Sequence, residues 1–423
     1  MKDKKPEMIN DKKTGKTFSG KNRNSASYSI CDSLFNVTKL TSESLAVLNN
    51  FDDVIQGVKP LNSKQLQQLP DNIRNLSHQL TDKRSERRLG YMNDNIQLSS
   101  YIRYYTWWNL VRLTRLFSNL PDSVFPKKDC ICLDLGSGPL TVVTALWLAR
   151  PELRSLKLTW YCLDVSANSM ALGEDVYLST VARTSSSDSE QAEMPWKIIR
   201  VKGSFGTVIR QKADFITCAN MFNELDQASD MPPEYSSKKY FDQLKTYSTP
   251  SASFILVEPG VPKAARTVSL LRSRFLNSGK TIAAPCPHAE ECPMNGFKAY
   301  TGSSNKWCNF AFNTEDAPAK LLKLSERAKL PKERATLSFI AVSSEKSVAD
   351  KTDLSCRVAS DPIKLPNYRT GFYACSKLGL TLLTVPQLDE KKQLHSGELL
   401  SVKIKTPDSL PKDEKSGACV ISL

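Results

Sequence analysis

No stretch of this 423-residue chain approaches the roughly 20 consecutive apolar residues that a membrane-spanning helix needs, so a membrane partner is set aside. The opening, M-K-D-K-K-P-E-M-I-N, has no apolar core of the kind a secretory signal carries. It is also interrupted by Asp3, Glu7 and Asp11, which fits an acid-poor mitochondrial leader badly. The expected location is a bacterial cytoplasm, with the mitochondrial matrix as the alternative. Short C-x2-C knuckles are missing, which argues against an ordinary zinc ribbon. The dinucleotide fingerprint G-x-G-x-x-G is never completed, which argues against a nicotinamide cofactor. No internal repeats are present.

What is abundant is positive charge. The net charge is +14, and eight Lys/Arg face three acids within residues 1–30. An excess that persists beyond the tail is the footprint of a nucleic-acid partner. Eleven cysteines without a secretion signal read as reduced thiols, some of them available to a metal.

Residues 1–30 read as a disordered basic tail and 31–125 as a helical region. Within the latter, Tyr101-Ile-Arg-Tyr-Tyr-Thr-Trp-Trp-Asn-Leu-Val-Arg-Leu-Thr-Arg-Leu-Phe117 puts its large apolar groups on one face. The plain reading is an amphipathic helix packed on the next unit. The sharper one is RNA stacking on Tyr104 or Trp107. The run Lys83–Arg88 is a solvated helix face or a phosphate contact. From 126 to 276, strands alternate with helices, as in a doubly wound parallel sheet. Residues 277–345 hold a Pro/Gly-rich cysteine segment, a lysine-rich helix and a strand over Ala335–Ser343 that returns to the main sheet. Residues 346–423 read as a small β unit.

C-L-D-L-G-S-G-P (Cys132–Pro139) is a strand running into a glycine turn, where Gly136 and Gly138 let the backbone approach a ligand closely. In enzymes that use S-adenosylmethionine (SAM), such a loop cups the cofactor. Asp134 would meet the methionine amino group, and Asp164, ending Y-C-L-D, would take the ribose hydroxyls. Asn220, in C-A-N-M-F-N-E-L, lies at the carboxyl edge where a substrate pocket belongs, with Asn223 and Glu224 beside it. Leu140 stands where a small residue is usual and is expected to crowd the cofactor. There is no N-P-P-Y/F run to grip an exocyclic base amine, and Cys218 reads as a buried strand cysteine, so no catalytic residue can be named.

Cys286 and Cys292 sit in A-P-C-P-H-A-E-E-C-P-M, Cys308 in K-W-C-N-F and Cys375 in F-Y-A-C-S-K. The spacing C-x5-C-x15-C leaves zinc, an iron–sulfur cluster and unliganded thiols all open. His288 is an alternative ligand, and Cys356 competes with Cys375.

Together with Y-I-R-Y-Y-T-W-W-N-L, L-V-E-P-G and R-V-A-S-D-P-I-K-L-P, these segments resemble the methyltransferase-like assembly factors of the ribosomal small subunit, known in mitochondria and bacteria. The likeness spans residues 95–385. It implies a class I SAM-methyltransferase fold and a [4Fe–4S] cluster on Cys286, Cys292, Cys308 and Cys375. It further implies binding to small-subunit ribosomal RNA and ribosomal proteins. The reading is an RNA-binding assembly factor, monomeric when free, with a cluster-clipped appendage that presents Lys298, Lys306, Lys320, Lys323, Arg327 and Lys329 to phosphates. Competing readings are an active SAM-dependent rRNA methyltransferase and a redox- or iron-sensing RNA-binding protein; zinc is the alternative metal.

Overall fold

The computed structural model describes residues 26–81, 91–184, 194–227, 231–297, 305–345, 353–387, 393–404 and 409–423. The basic run Lys83–Arg88 and Lys298 lie outside them. The chain begins with strand β1 (Ser27–Ser33) and helices α1 (Ser42–Asn49), α2 (Phe51–Val58), α3 (Ser63–Thr81), α4 (Asn95–Tyr101) and α5 (Trp107–Phe117). The start of α4 is set by Asp94, whose carboxylate accepts the amides of Ile96 at 3.0 Å and Gln97 at 2.8 Å. Between α4 and α5 the helix widens into one π turn, Ile102–Thr106.

Tyr104 and Trp107 are buried, at 4% and 1% exposure. The Tyr104 hydroxyl donates to Leu330 O at 3.1 Å and the Trp107 indole N–H to Leu48 O at 2.8 Å. Neither ring is available to stack on a base. The plain amphipathic reading of this segment holds, because aromatic rings with a satisfied polar tip are core material.

The core sheet follows: β2 (Ile131–Leu135), α6 (Thr141–Ala149), β3 (Thr159–Asp164), α7 (Ala167–Thr184), β4 (Lys197–Lys202), β5 (Ala213–Ala219), α8 (Met221–Gln227), α9 (Pro233–Tyr247), β6 (Ser248–Glu258) and α10 (Pro262–Asn277). Then come β7 (Thr281–Ala284), β8 (Phe310–Asn313), α11 (Ala319–Arg327) and β9 (Arg334–Ser343). The strand order is β4-β3-β2-β5-β6-β9-β7, with β8 added to β9. Strands β2 to β6 are mutually parallel, and β9 is antiparallel to both β6 and β7. This is a doubly wound, Rossmann-like sheet whose order reverses between β2 and β5, which makes their carboxyl ends a topological switch point. Successive strand residues feed opposite layers. Cys132 and Trp160 join the layer of α5, α6 and α7, while Leu133 and Ile216 join that of α9 and α10.

The last strands, β10 (Leu354–Val358), β11 (Ile363–Leu365), β12 (Arg369–Ser376), β13 (Gly379–Pro386), β14 (Glu398–Lys403) and β15 (Cys419–Ser422), build a second sheet. Its order is β1-β14-β10-β12-β13-β15, with β11 on β12. Residues 27–30, expected to belong to a disordered tail, are thus part of a strand. β1 pairs antiparallel with β14, Ser27 facing Lys403. No membrane-length apolar helix occurs among the described residues.

Helix α7 lies directly on the glycine turn. A Cβ on Gly173 would sit 2.3 Å from the carbonyl carbon of Pro139. Gly173→Ala is therefore expected to push α7 off the turn and cost about 1–3 kcal/mol, read as a lower midpoint in urea unfolding.

Candidate cofactor pocket and thiol centre

The glycine turn is tightly held. Gly136 and Gly138 have φ of 66° and 49°, and Leu140 and Asn220 share the left-handed region at 51° and 62°. The amides of Gly136 and Ser137 donate to Leu163 O at 2.9 and 3.1 Å, tying the turn to β3. Asp164 accepts the amide of Gly138 at 2.9 Å with one oxygen and that of Ser166 at 2.8 Å with the other. It is 8% exposed, and burial raises its pKa. Its first task is thus to pin the turn, with lone pairs left over for a ligand hydroxyl.

Leu140 does not crowd the turn. It is fully buried in the helix layer and leads into α6, so its bulk points into the core. The glycines are covered instead by two methionines. Met221 Cβ lies 2.9 Å from the place a Gly136 Cβ would take, and Met92 Cε 3.8 Å from that of Gly138.

Asp134 is fully buried at the end of β2. One carboxyl oxygen accepts from Thr217 Oγ1 at 2.6 Å, and the other has no partner among the described residues. Burial pushes its pKa up to about 7, against the Thr217 hydrogen bond that lowers it. An orphaned buried oxygen beside a glycine turn suits a cationic ligand group.

Asn220 does not stand free in a pocket. Its amide donates to Val257 O at 2.8 Å, and its Oδ1 accepts from Arg112 Nη2 at 3.1 Å. Arg112, on α5, also donates to Thr336 O at 3.1 Å and Asn109 Oδ1 at 2.9 Å, and burial lowers its pKa to about 10. Glu258, ending β6, caps α8 by accepting the amides of Phe222 at 2.9 Å and Asn223 at 3.1 Å. Burial drives its pKa up to about 8. Arg112 and Glu258 were not singled out from sequence, although both lie in segments that were. Cys218 is buried within β5.

The four cysteines come from the end of β7, the following loop, the approach to β8, and β12. They converge. Burial raises the Cys308 thiol well above its usual range, and Cys292, Cys286 and Cys375 raise it further. Cys375 is raised by burial and then by Cys286 and Cys292. Cys356 is fully buried in the interior of the second sheet, and its charge also acts on Cys375.

Arg272 on α10, only 2% exposed, donates through Nε to Cys286 Sγ at 3.1 Å. It donates through Nη2 to the carbonyls of His288 at 2.9 Å and Glu290 at 2.8 Å. His288 Nε2 lies 2.8 Å from Cys375 Sγ, while its Nδ1 is buried without a partner. Burial, with the nearby Arg272, lowers the His288 pKa to about 4, so the ring is neutral. No group of three or more His, Cys, Asp or Glu side chains is arranged to hold a metal ion among the described residues. Burial and neighbouring thiols raise Cys286, Cys308 and Cys375, and a bound metal would reverse that by stabilising thiolates.

Of the cations expected to face phosphate, Lys320 is paired with Asp52 at 3.1 Å and Asp53 at 3.3 Å. Lys306 lies over the Tyr373 ring at 4.2 Å. Lys323, Arg327 and Lys329 are exposed.

The family described as Mitochondrial small ribosomal subunit Rsm22 matches residues 106–368. A search of curated proteins finds no match. Among solved structures, a ribosomal protein L11 methylase from Lactobacillus delbrueckii subsp. bulgaricus is 14% identical at a TM-score of 0.28, covering 41% of this chain and 70% of its own. A putative RNA methyltransferase from Pyrococcus horikoshii is 13% identical at 0.29, covering 55% and 82%. A SAM-dependent methyltransferase from Geobacter sulfurreducens, in complex with S-adenosyl-L-homocysteine, is 12% identical at 0.30, covering 55% and 89%. Scores this low speak to neither substrate nor chemistry.

The buried carboxyls give a pH dependence. Glu258 and Asp134 hold protons in the folded state that the unfolded chain releases near pH 4. Their contribution is fully present below about pH 4 and is lost as pH rises through about 7 to 8. Melting temperature should fall between about pH 5 and about pH 8. Glu258→Gln, which keeps one acceptor oxygen for α8, should flatten that slope; an unchanged slope would contradict the assignment.

Proposed function

Because this chain belongs to the mitochondrial small ribosomal subunit Rsm22 family, we propose that it is an assembly factor of the small ribosomal subunit, binding its rRNA through a methyltransferase-like core. The observation that carries the fuller reading is the meeting of Cys286, Cys292, Cys308 and Cys375 beneath Arg272. Three of these thiols belong to the core and one to the second sheet. A centre bound to all four would tie the two sheets together, and its binding free energy would become folding free energy.

A [4Fe–4S] cluster, which takes its thiolates on separate irons, is the centre the resemblance implies, and a single zinc ion is the alternative. The Arg272 N–H on Cys286 is the kind of donor that tunes such a centre. The exposed Lys323, Arg327 and Lys329 would meet phosphates. The family's description favours the mitochondrial matrix over a bacterial cytoplasm.

A second reading, a retained SAM site, is favoured by the orphaned oxygen of Asp134. Asp134 would hold the methionine amino group, Asp164 the ribose, and Gly136 and Gly138 the close backbone approach. Bound SAM would supply an electrophilic methyl group.

Metal analysis after anaerobic purification should give about four irons and four acid-labile sulfides per chain. Cys308→Ser should lose most of the iron and melt several degrees lower. One zinc without sulfide selects the zinc version, and no metal at all removes the clip. Filter binding to small-subunit rRNA should weaken steeply with salt; a flat plot of log K against log salt would rule out phosphate-led contact. Calorimetry with SAM should show saturable heat that Asp134→Ala abolishes if the cofactor site is retained, and no heat if the chain is a binding factor alone.

A further inference from the structure

A cleft of about 1290 Å³ opens away from the glycine turn. It lies between the second sheet and the segment running from β8 through α11 to β9. Its volume exceeds the roughly 300–1,000 Å³ of small-molecule sites and suits a length of polymer.

Both walls are sheet edges. β11 pairs with β12 through Ile363–Gly371, Lys364–Thr370 and Leu365–Arg369. β10 pairs with the same strand further along, through Arg357–Cys375 and Val358–Ala374. β14 covers the outer side of β10 as far as Leu399 opposite Arg357, and the Gly397 amide closes on Val358 O. There β14 begins, and the outer edge of β11 has no strand partner among the described residues. On the facing wall β8 pairs with β9 alone. The Ala311 amide of β8 is met at 3.1 Å by Ser396 Oγ, a side chain standing where a strand would. Open strand edges of this kind accept an extended peptide by main-chain hydrogen bonding.

The charge of the cleft runs against that of the chain. Its lining carries Glu315, Glu326, Glu333, Asp361 and Glu398 against Lys332, Arg334 and Lys364, in a chain of net charge +14. Arg334 and Asp361 neutralise each other across the cleft at 2.6 Å. Glu315, Glu326 and Glu333 are exposed and make no ion pair among the described residues. An RNA backbone would be repelled here, and a cationic partner drawn in.

We infer that this cleft docks a lysine- or arginine-rich, extended segment of another protein, added as a strand along the free edge of β11. Main-chain bonds to β11 would supply affinity, and alternate side chains would reach the glutamates and the Phe35–Phe312 ring pair, whose centroids are 4.9 Å apart.

The test uses the full chain and a fluorescein-labelled 12-residue peptide alternating lysine with valine or threonine, followed by anisotropy. Saturable binding is expected, and a glutamate-for-lysine version should not bind. The exposed double substitution E326K/E333K should weaken binding about tenfold or more while leaving the melting temperature unchanged and rRNA affinity no lower. Two further peptides, N-methylated on odd or on even residues, should differ: one phase loses binding and the other keeps it, because only every second amide of an added strand points at β11. Equal binding by both phases, or no effect of the charge reversal, overturns the proposal. A chain lacking residues 1–25 should bind the peptide as the full chain does. A tenfold gain on that deletion would mean that the chain's own basic segment fills the cleft, and would overturn a partner in trans.

Discussion

Two buried guanidinium groups hold the loop on which the rest of the thiol site depends. Arg272, on α10 of the core, takes the carbonyls of His288 and Glu290 and the sulfur of Cys286. Arg357, on β10 of the second sheet, takes Pro285 O at 3.1 Å and Gly397 O at 2.7 Å. Asp32 on β1 stands 3.6 Å from it. One loop is thus gripped from both bodies at once, and the grip decides where Cys286 sits relative to Cys375. A guanidinium suits this task because its planar fork can serve several carbonyls while remaining charged in the interior. Burying it is costly, and that cost is offset only when every carbonyl stays in place, so the arrangement is all-or-none.

What could be read from residue order alone follows from the range of the signal. The glycine turn and the alternation of strands and helices are local patterns, and they are present as expected. The four cysteines were named as a set from the resemblance alone, because their spacing leaves zinc, a cluster and unliganded thiols open. β1 was missed because its partner, β14, lies some 370 residues downstream (Ser27 faces Lys403), and a short polar strand carries no signal apart from its pairing. Arg272 was missed for a related reason. It sits in a helix among other arginines, and only the fold shows that it points at a carbonyl cage rather than at solvent. Leu140 was misjudged because a left-handed backbone turns its side chain into the core, and side-chain direction is set by φ rather than by position in a motif.

Charge is unevenly divided over the molecule. Several cations that a composition argument would assign to nucleic acid are already committed: Lys320 to Asp52 and Asp53, Lys306 to the Tyr373 ring, Arg115 to Asp316. The net excess remains, so it is carried by the uncommitted residues. A cleft with more carboxylates than cations is then a local inversion rather than an average, and it separates the surface suited to phosphate from the one suited to a basic peptide.

The carboxyl end of the core sheet is expensive to maintain. Leu140 and Asn220 hold left-handed φ values without being glycine, and Asp134, Asp164 and Glu258 are carboxyls with raised pKa values in the interior. Some of these costs have structural returns. Asp164 pins the turn, and Glu258 caps α8. Asn220 anchors Arg112. The second oxygen of Asp134 has none, since it makes no hydrogen bond among the described residues. A scaffold needs only the oxygen that accepts from Thr217 and has no use for the second. The orphaned oxygen is therefore the one feature of the pocket that packing does not explain, and a ligand bearing a positive group is the simplest thing that would.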